Sequence, residues 1–265
     1  MIKATVLFSG SEGNCTHITD GKTQILIDAG FNEKRIKSSL QAIGSGLDEI
    51  QGIFLTHEHT DHTKALYTLL KNYTIPTYTL VETARALCSK SATPTDALRC
   101  IASQIYTVET GSIYEVGTLC VIPFSTPHDV ASIGFKIEEP CGNVLCYATD
   151  TGCVTKEMLH YFEGCDIAVI EANHDRDMLI DGPYPEFLKQ RILSDSGHLS
   201  NEIASRFALW LAQNGTKKII LAHLSKENNT PTAVKSVVSE RLESNGFNNF
   251  DFLIADRYEA VEAKV

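Results

Sequence analysis

Short apolar or alternating runs separated by turn residues open the chain, at 3–8, 14–19 and 24–28. Ser9-Gly10 through Gly13 and Asp20-Gly21 punctuate them, which predicts three strands, and a helical pattern follows over 32–43. Gly52-Ile53-Phe54-Leu55-Thr56 reads as a buried strand, and Leu66, Leu69, Leu70 and Tyr73 then fall at helix-face spacing. The plan recurs with strand-like runs at 113–116, 119–124, 133–138, 143–149, 166–170 and 217–222. Helices are predicted near 155–163, 184–194, 200–214 and 231–245. The last has Thr230 as N-cap, Pro231 in its first turn and Asn245-Gly246 as its stop, with Val234, Val237, Val238 and Leu242 on one face. Two sets of strands and helices with no Pro/Gly/Ser-rich linker predict one domain over 1–265, two stacked sheets with helices outside.

Polar residues interrupt this pattern most sharply at His57-Glu58-His59-Thr60-Asp61-His62, on the turn between a buried strand and a helix. A reversing backbone lets three imidazoles and a carboxylate converge instead of alternating outward. A histidine-rich loop is the bland alternative, but the chain has nine histidines and three fall in this hexamer. Three later strands end in side chains of the same kind: His128 after 119–124, Asp150 after 143–149 and His223 after 217–222. Alone, a strand-end histidine is usually a satisfied polar residue. Recurrence at three strand ends points instead to a scaffold presenting site residues. The Ser9–Asn14 turn, with its two glycines, allows close approach to a ligand and makes Asn14 a candidate, although hairpin turns use the same residues.

Composition is ordinary for a globular protein, with 43% hydrophobic and 21% charged residues. No apolar segment approaches the ~20 residues of a membrane helix, and the start carries no leader-like pattern, so a cytoplasmic protein without membrane contact is expected. Eight cysteines without a Cys-x-x-Cys pair argue for reduced, packed thiols. The net charge of −10 excludes gripping nucleic acid through bulk positive charge. A nuclease stays open, because bound divalent ions supply positive charge locally.

The His-x-His-x-Asp-His motif at 57–62, with the later His128, Asp150 and His223, resembles the metallo-β-lactamase-fold hydrolases over nearly the whole chain. The resemblance implies an α/β fold of four layers, an αββα sandwich, with the site at one edge between the sheets. It gives one metal His57, His59 and His128, the other Asp61, His62 and His223, with Asp150 bridging. Flavodiiron-type relatives carry glutamate where this chain has His59, and well-known zinc lactamases carry cysteine where it has Asp150. The first difference disfavours a redox di-iron centre, and an aspartate at 150 suits a bridging carboxylate and the phosphoesterase or thioesterase branches. Ser196-Gly197-His198-Leu199-Ser200 with His223-Leu224-Ser225 resembles ribonuclease Z and a cyclic phosphodiesterase of phosphonate metabolism. There the histidine matching His198 contacts the scissile phosphate, and a glutamate matching Glu171 holds it.

Longer stretches resemble the bacterial WalJ/YycJ group: Gly10 to Cys15, Glu171 to Asp175, Gly182 to Pro185, Gly197 to Asn201 and His223 to Asn229. That group is associated with 5′→3′ exonuclease activity on double-stranded DNA. The expectation is therefore a phosphodiesterase with double-stranded DNA as substrate and two divalent ions (zinc, manganese or iron) sharing a bridging hydroxide. His198, Glu171 and Asp61 form the expected catalytic set. A small-molecule phosphodiesterase or a glyoxalase II-like thioesterase on the same binuclear site is the alternative. Without the resemblance, Ser200 as a helix N-cap explains the surroundings of His198 equally well. Asp28 either orients the ligand loop or is a turn residue. Asn173 and His174 either line the groove or cap the next helix. Arg176, Lys189, Arg191 and Lys226 are candidates for tracking a nucleic-acid backbone, and His17 and His160 read as packing or surface residues.

Overall fold

The structure is a computed structural model that describes residues 1–89 and 102–265. Among the described residues, two seven-stranded sheets face each other. The first contains β1 (Lys3–Phe8), β2 (Cys15–Thr19), β3 (Gln24–Ile27), β4 (Gly52–Phe54), β5 (Thr77–Thr79), β6 (Ile105–Thr107) and, beside β1, the late strand β14 (Val261–Lys264). The second runs in order from β7 (Tyr114–Val116) through β8 (Leu119–Thr126), β9 (Ser132–Glu138), β10 (Val144–Ala148), β11 (Ile167–Glu171) and β12 (Lys218–Ala222) to β13 (Phe252–Ile254).

Alternation sets which side chains meet between the sheets. Leu119 and Val121 of β8 and Ile133, Phe135 and Ile137 of β9 pack against Ile18, Ile25, Ile27 and Phe54 of the first sheet. The outer face of the first sheet is covered by α1 (Glu33–Ala42) and α3 (Leu66–Asn72), through Ile36, Leu40, Leu66 and Leu69. That of the second is covered by α5 (Lys156–Phe162), α8 (Asn201–Gln213) and α9 (Pro231–Glu243). The layers are thus αββα, as expected. A short α2 (Thr60–Thr63) precedes α3; α4 (Val81–Ser89), α6 (Arg176–Asp181) and α7 (Glu186–Leu193) complete the helices that are described.

Local chemistry accounts for the helix starts. The side chains of Asn32, Thr155, Asp175, Ser200 and Thr230 each accept an amide hydrogen from the first turn of α1, α5, α6, α8 and α9. The α9 helix ends at Glu243, two residues before the predicted stop. Strands β5, β6, β13 and β14 and helices α2, α4 and α6 have no counterpart in the predicted elements. Cys100 lies outside the described residues; the other seven cysteines are unbridged.

Strand direction decides where the chemistry sits. β3 and β4 run parallel, as do β10, β11 and β12, while β8 reaches the same edge because it is antiparallel to β9 and β9 to β10. The carboxyl ends of these strands deliver Asp28, His57, His128, Asp150, Glu171 and His223. The edge of an α/β sheet beyond its strand ends is where such folds hold their ligands.

Candidate metal centre

The ligand loop hangs from Asp28, a fully buried carboxylate. Asp28 Oδ1 accepts the Thr56 amide at 2.9 Å, and Oδ2 lies 2.7 Å from His62 Nδ1. Nδ1–H of His62 therefore donates to Asp28, and Nε2 is the nitrogen turned to the centre. The Thr56 hydroxyl, 3.0 Å from Asp28 Oδ2, lies 2.9 Å from His57 Nδ1 and fixes that ring with Nε2 inward in the same way. His128 Nδ1 faces the Gly197 carbonyl at 3.3 Å. His223 Nδ1 lies 2.8 Å from Glu171 Oε1, and the His223 amide donates to Ser9 Oγ at 2.7 Å.

Three of the positioned residues sit in left-handed backbone: Asp28 (φ 62°), Asp150 (φ 55°) and His223 (φ 58°). Outside glycine this region is sparsely used and favours Asp, Asn and His, so the sharp strand-end turns suit the side chains they present. Gly30 serves close approach instead: a Cβ there would stand 1.6 Å from the Asp61 carbonyl oxygen. Gly30→Ala is expected to push the ligand loop outward and weaken metal retention, read as metal content of the purified variant.

Within 4.8 Å of one another lie ligand atoms of His57, His59 and His128; of Asp61, His62 and His223; and of His57, His62 and Asp150. Asp150 also groups with His223, His198 and Glu171. Its Oδ2 is 3.2 Å from His62 Nε2 and its Oδ1 3.5 Å from His223 Nε2, so one carboxylate faces both halves of the cluster. Among the described residues, His57 Nε2 and His223 Nε2 are buried without a hydrogen-bond partner, and His128 Nε2 and Asp150 Oδ2 meet only poorly aligned neighbours, Asp129 and His62. Each orphan costs roughly 1–3 kcal/mol when left unsatisfied. Their convergence fits divalent cations, and the imidazole–carboxylate donors match zinc, manganese or iron chemistry.

Electrostatics agree. Burial lowers His57 and His128, which favours neutral, metal-ready rings. Burial works against the charges of Asp61 and Asp150, yet neighbouring histidines, His223 and His62 foremost, hold both well below the usual carboxylate range. Burial also opposes the charge on His62 and His223, but Asp150, with Asp28 or Glu171, raises His62 well above its ordinary range and His223 to about 10. A histidine with a raised pKa keeps its proton at neutral pH, and a cation must displace it. Metal uptake at pH 7 is therefore expected to release about two protons and to weaken as pH falls. Calorimetry in buffers of different ionisation enthalpy would show this; a buffer-independent heat would refute it.

Glu171, fully buried, accepts from four donors: His198 Nδ1 and His223 Nδ1, each at 2.8 Å, the Leu199 amide at 3.0 Å and the Thr151 amide at 3.1 Å. Burial resists its charge, but the facing imidazoles of His198 and His223 hold it down at about 2. With Nδ1–H of His198 on Glu171, its Nε2 is left for the cleft. Burial opposes the imidazolium of His198, and Glu171 outweighs it, raising its pKa.

A cleft of about 200 Å³ opens onto this cluster, lined by His59, Asp61, His128, Asp150, His198 and His223, with Asn173, Tyr184 and Arg191 on its walls. Asn14 is buried behind it, its Nδ2 3.3 Å from Asp61 Oδ2, and braces the loop. Asn173 donates to the His223 carbonyl at 3.0 Å. His174, 1% exposed, does not line the cleft, and burial pushes its pKa down to about 4. Arg191 pairs with Asp129, whose Oδ1 is 3.0 Å from His128 Nε2 and 3.6 Å from His59 Nε2. Arg176 is exposed, Lys189 donates to the Ile180 carbonyl, and Lys226 pairs with Glu12. His17 is buried against Gln24, and His160 rests on Tyr161. Sequence reasoning missed Thr56, Ser9 and Asp129. Thr56 and Asp129 adjoin predicted ligands, but Ser9 meets His223 across 214 positions and leaves no local signal.

Two facing mixed sheets with a histidine–carboxylate cluster at one edge define a metal-dependent hydrolase. Residues 23–224 match the model of the beta-lactamase superfamily domain. The chain belongs to that superfamily, on its metallo-β-lactamase-fold branch. It is 35% identical over 244 residues to exodeoxyribonuclease YycJ of Bacillus anthracis, covering 92% of this chain and 90% of that protein. It is 37% identical over 228 residues to exodeoxyribonuclease WalJ of Streptococcus pneumoniae serotype 2, covering 86% and 83%. The metallo-beta-lactamase fold protein YhfI of Bacillus subtilis superposes with a TM-score of 0.72 at 17% identity, over 99% of each chain, and shares the fold. Among the described residues no helix is long and apolar enough to cross a membrane.

Proposed function

We propose that the protein, as one domain over 1–265, is a binuclear metal-dependent 5′→3′ exonuclease on double-stranded DNA. The observation that carries the reading is the Glu171–His198 pair beside the cluster, at 2.8 Å. A departing 3′-alkoxide is a poor leaving group and needs a proton. A departing thiolate, of pKa near 8.5, does not. An acid held by a buried carboxylate therefore favours a phosphodiester over a thioester. The exonuclease names of the relatives support DNA as the polymer.

His57, His59 and His128 would hold one divalent ion and Asp61, His62 and His223 the other, with Asp150 between them. Bound there, the ions supply Lewis acidity and an activated water. Hydrolysis forms a bond from a water oxygen to phosphorus, the water's proton passing to solvent, as the bond from phosphorus to O3′ breaks. His198 passes its Nε2 proton to O3′ and regains one from solvent, while Glu171 keeps the ring oriented. Tyr184 and Arg191 line the strand's path, and against a net charge of −10 any basic track is local, so DNA binding should fall steeply with salt.

The test is digestion of 5′-labelled and 3′-labelled duplexes with Mn²⁺ or Zn²⁺, beside the His59→Ala variant. Mononucleotides released from the 5′ end by the wild type alone support the reading. Intact DNA with metal bound sinks it and turns attention to small phosphodiesters.

A further inference from the structure

A second cavity, of about 300 Å³, lies behind His223, between the Ser9 turn, the segment from Leu224 to Pro231 and the turn from Asp256 to Tyr258. Ser225 lines both this cavity and the metal cleft, so the two adjoin. Its polar lining is rich in spare donors. Ser9 Oγ accepts the His223 amide at 2.7 Å, Ser225 Oγ the Asn228 amide at 3.2 Å and Thr230 Oγ1 the Ala233 amide at 3.1 Å. None of the three hydroxyl hydrogens has an acceptor among the described residues, so each is free to point into the cavity. Ser9 is only 5% exposed, which places its donor at the cavity floor.

One cationic side chain on the wall is left without an ion pair. Arg257 lines the cavity, its Nε is buried without a partner, and its guanidinium forms no ion pair among the described residues. Glu12 is occupied by Lys226 Nζ at 3.0 Å and the Tyr258 hydroxyl at 2.5 Å. Among the described residues Asp256 is the one carboxylate on the wall, and its Oδ1 accepts the Tyr258 and Glu259 amides. Three spare hydroxyls and an unpaired guanidinium suit a ligand made only of acceptors, and phosphate is the common biological form.

We infer that this cavity binds the 5′-terminal phosphate of the strand being digested. The inference rests on the exonuclease reading and deepens it. Cleavage between phosphorus and O3′ leaves a phosphate on every new 5′ end. A pocket for that group recognises the end each turnover creates, and its buried floor suits a chain end better than a diester passing through.

Single-turnover digestion of 3′-labelled duplexes bearing a 5′-phosphate or a 5′-hydroxyl tests this in the wild-type protein itself. The first cut is expected to be about tenfold faster on the phosphorylated end, the worth of one hydrogen bond to a charged group. The hydroxyl duplex should show a lag before steady loss. Arg257→Ala, and Arg257→Gln as a milder second variant, should narrow the ratio to about twofold with metal content retained. Equal first-cut rates in the wild type, with digestion proceeding, overturn the pocket and leave the exonuclease. A tenfold preference that survives both variants also overturns it. Cleavage of neither duplex by metal-loaded protein overturns the exonuclease reading and this occupant with it.

Discussion

His198→Ala loses roughly 10²–10⁴-fold in turnover on DNA while keeping its metal content, the range expected for removing a positioned acid. The retained metal follows from the geometry. His198 Nδ1 is committed to Glu171 at 2.8 Å, and the six histidine and aspartate atoms of the two ligand groups remain without it. A simple structural role would depress all substrates alike, so the leaving group separates the explanations. With a nitrophenyl phosphodiester, whose anion departs without a proton, the variant should lose far less. Metal analysis alongside kcat on both substrates decides. Equal losses would remove His198 as the proton donor, and loss of metal would make it a ligand.

Asp150→Ala is expected to lower metal content itself, because Asp150 Oδ2 is a buried acceptor facing His62 and its Oδ1 faces His223. Alanine also carries a backbone burden there. At φ 55° it is strained, by about 1–2 kcal/mol, where Asp and Asn are tolerated. Asp150→Asn keeps the backbone and volume and removes only the charge: affinity for at least one ion should fall by at least about 100-fold, beyond the 10–100-fold typical of outer partners. Equilibrium dialysis against a chromophoric chelator measures it. Full metal retention in Asp150→Asn would end the bridging assignment.

What the sequence reveals and what it hides have physical reasons. Strands such as β8 and β9 announce themselves through alternating Leu119, Val121, Ile133, Phe135 and Ile137, because one face is buried along seven or eight residues. The three-residue strands β5, β6 and β13 are too short to show a period, and Tyr106 in β6 is largely exposed. The hexamer is visible because its residues are contiguous, and His128, Asp150 and His223 because each ends an apolar run. The bonds that aim them are not local. Asp28 reaches His62 across 34 positions, and Glu171 reaches His223 across 52. The double grip of Glu171, on His198 and on His223, has no local pattern; resemblance pointed only to the first. His174 is legible as a polar residue near the site, yet only the packing places it out of the cleft.

The candidate ligands come from both sheets, His57 to His62 from the end of β4 and His128, Asp150 and His223 from β8, β10 and β12. The centre is therefore a seam between two halves of the fold, and a cation bound there belongs to neither half alone. A cation held there would work as a rivet. Metal that binds only the folded form adds stability that grows with the logarithm of its free concentration, about 2.7 kcal/mol at a hundredfold excess over Kd. Chelation would thus loosen the join between the sheets as well as silence the chemistry. In the cell, metal supply would set how long this molecule lasts along with how fast it works.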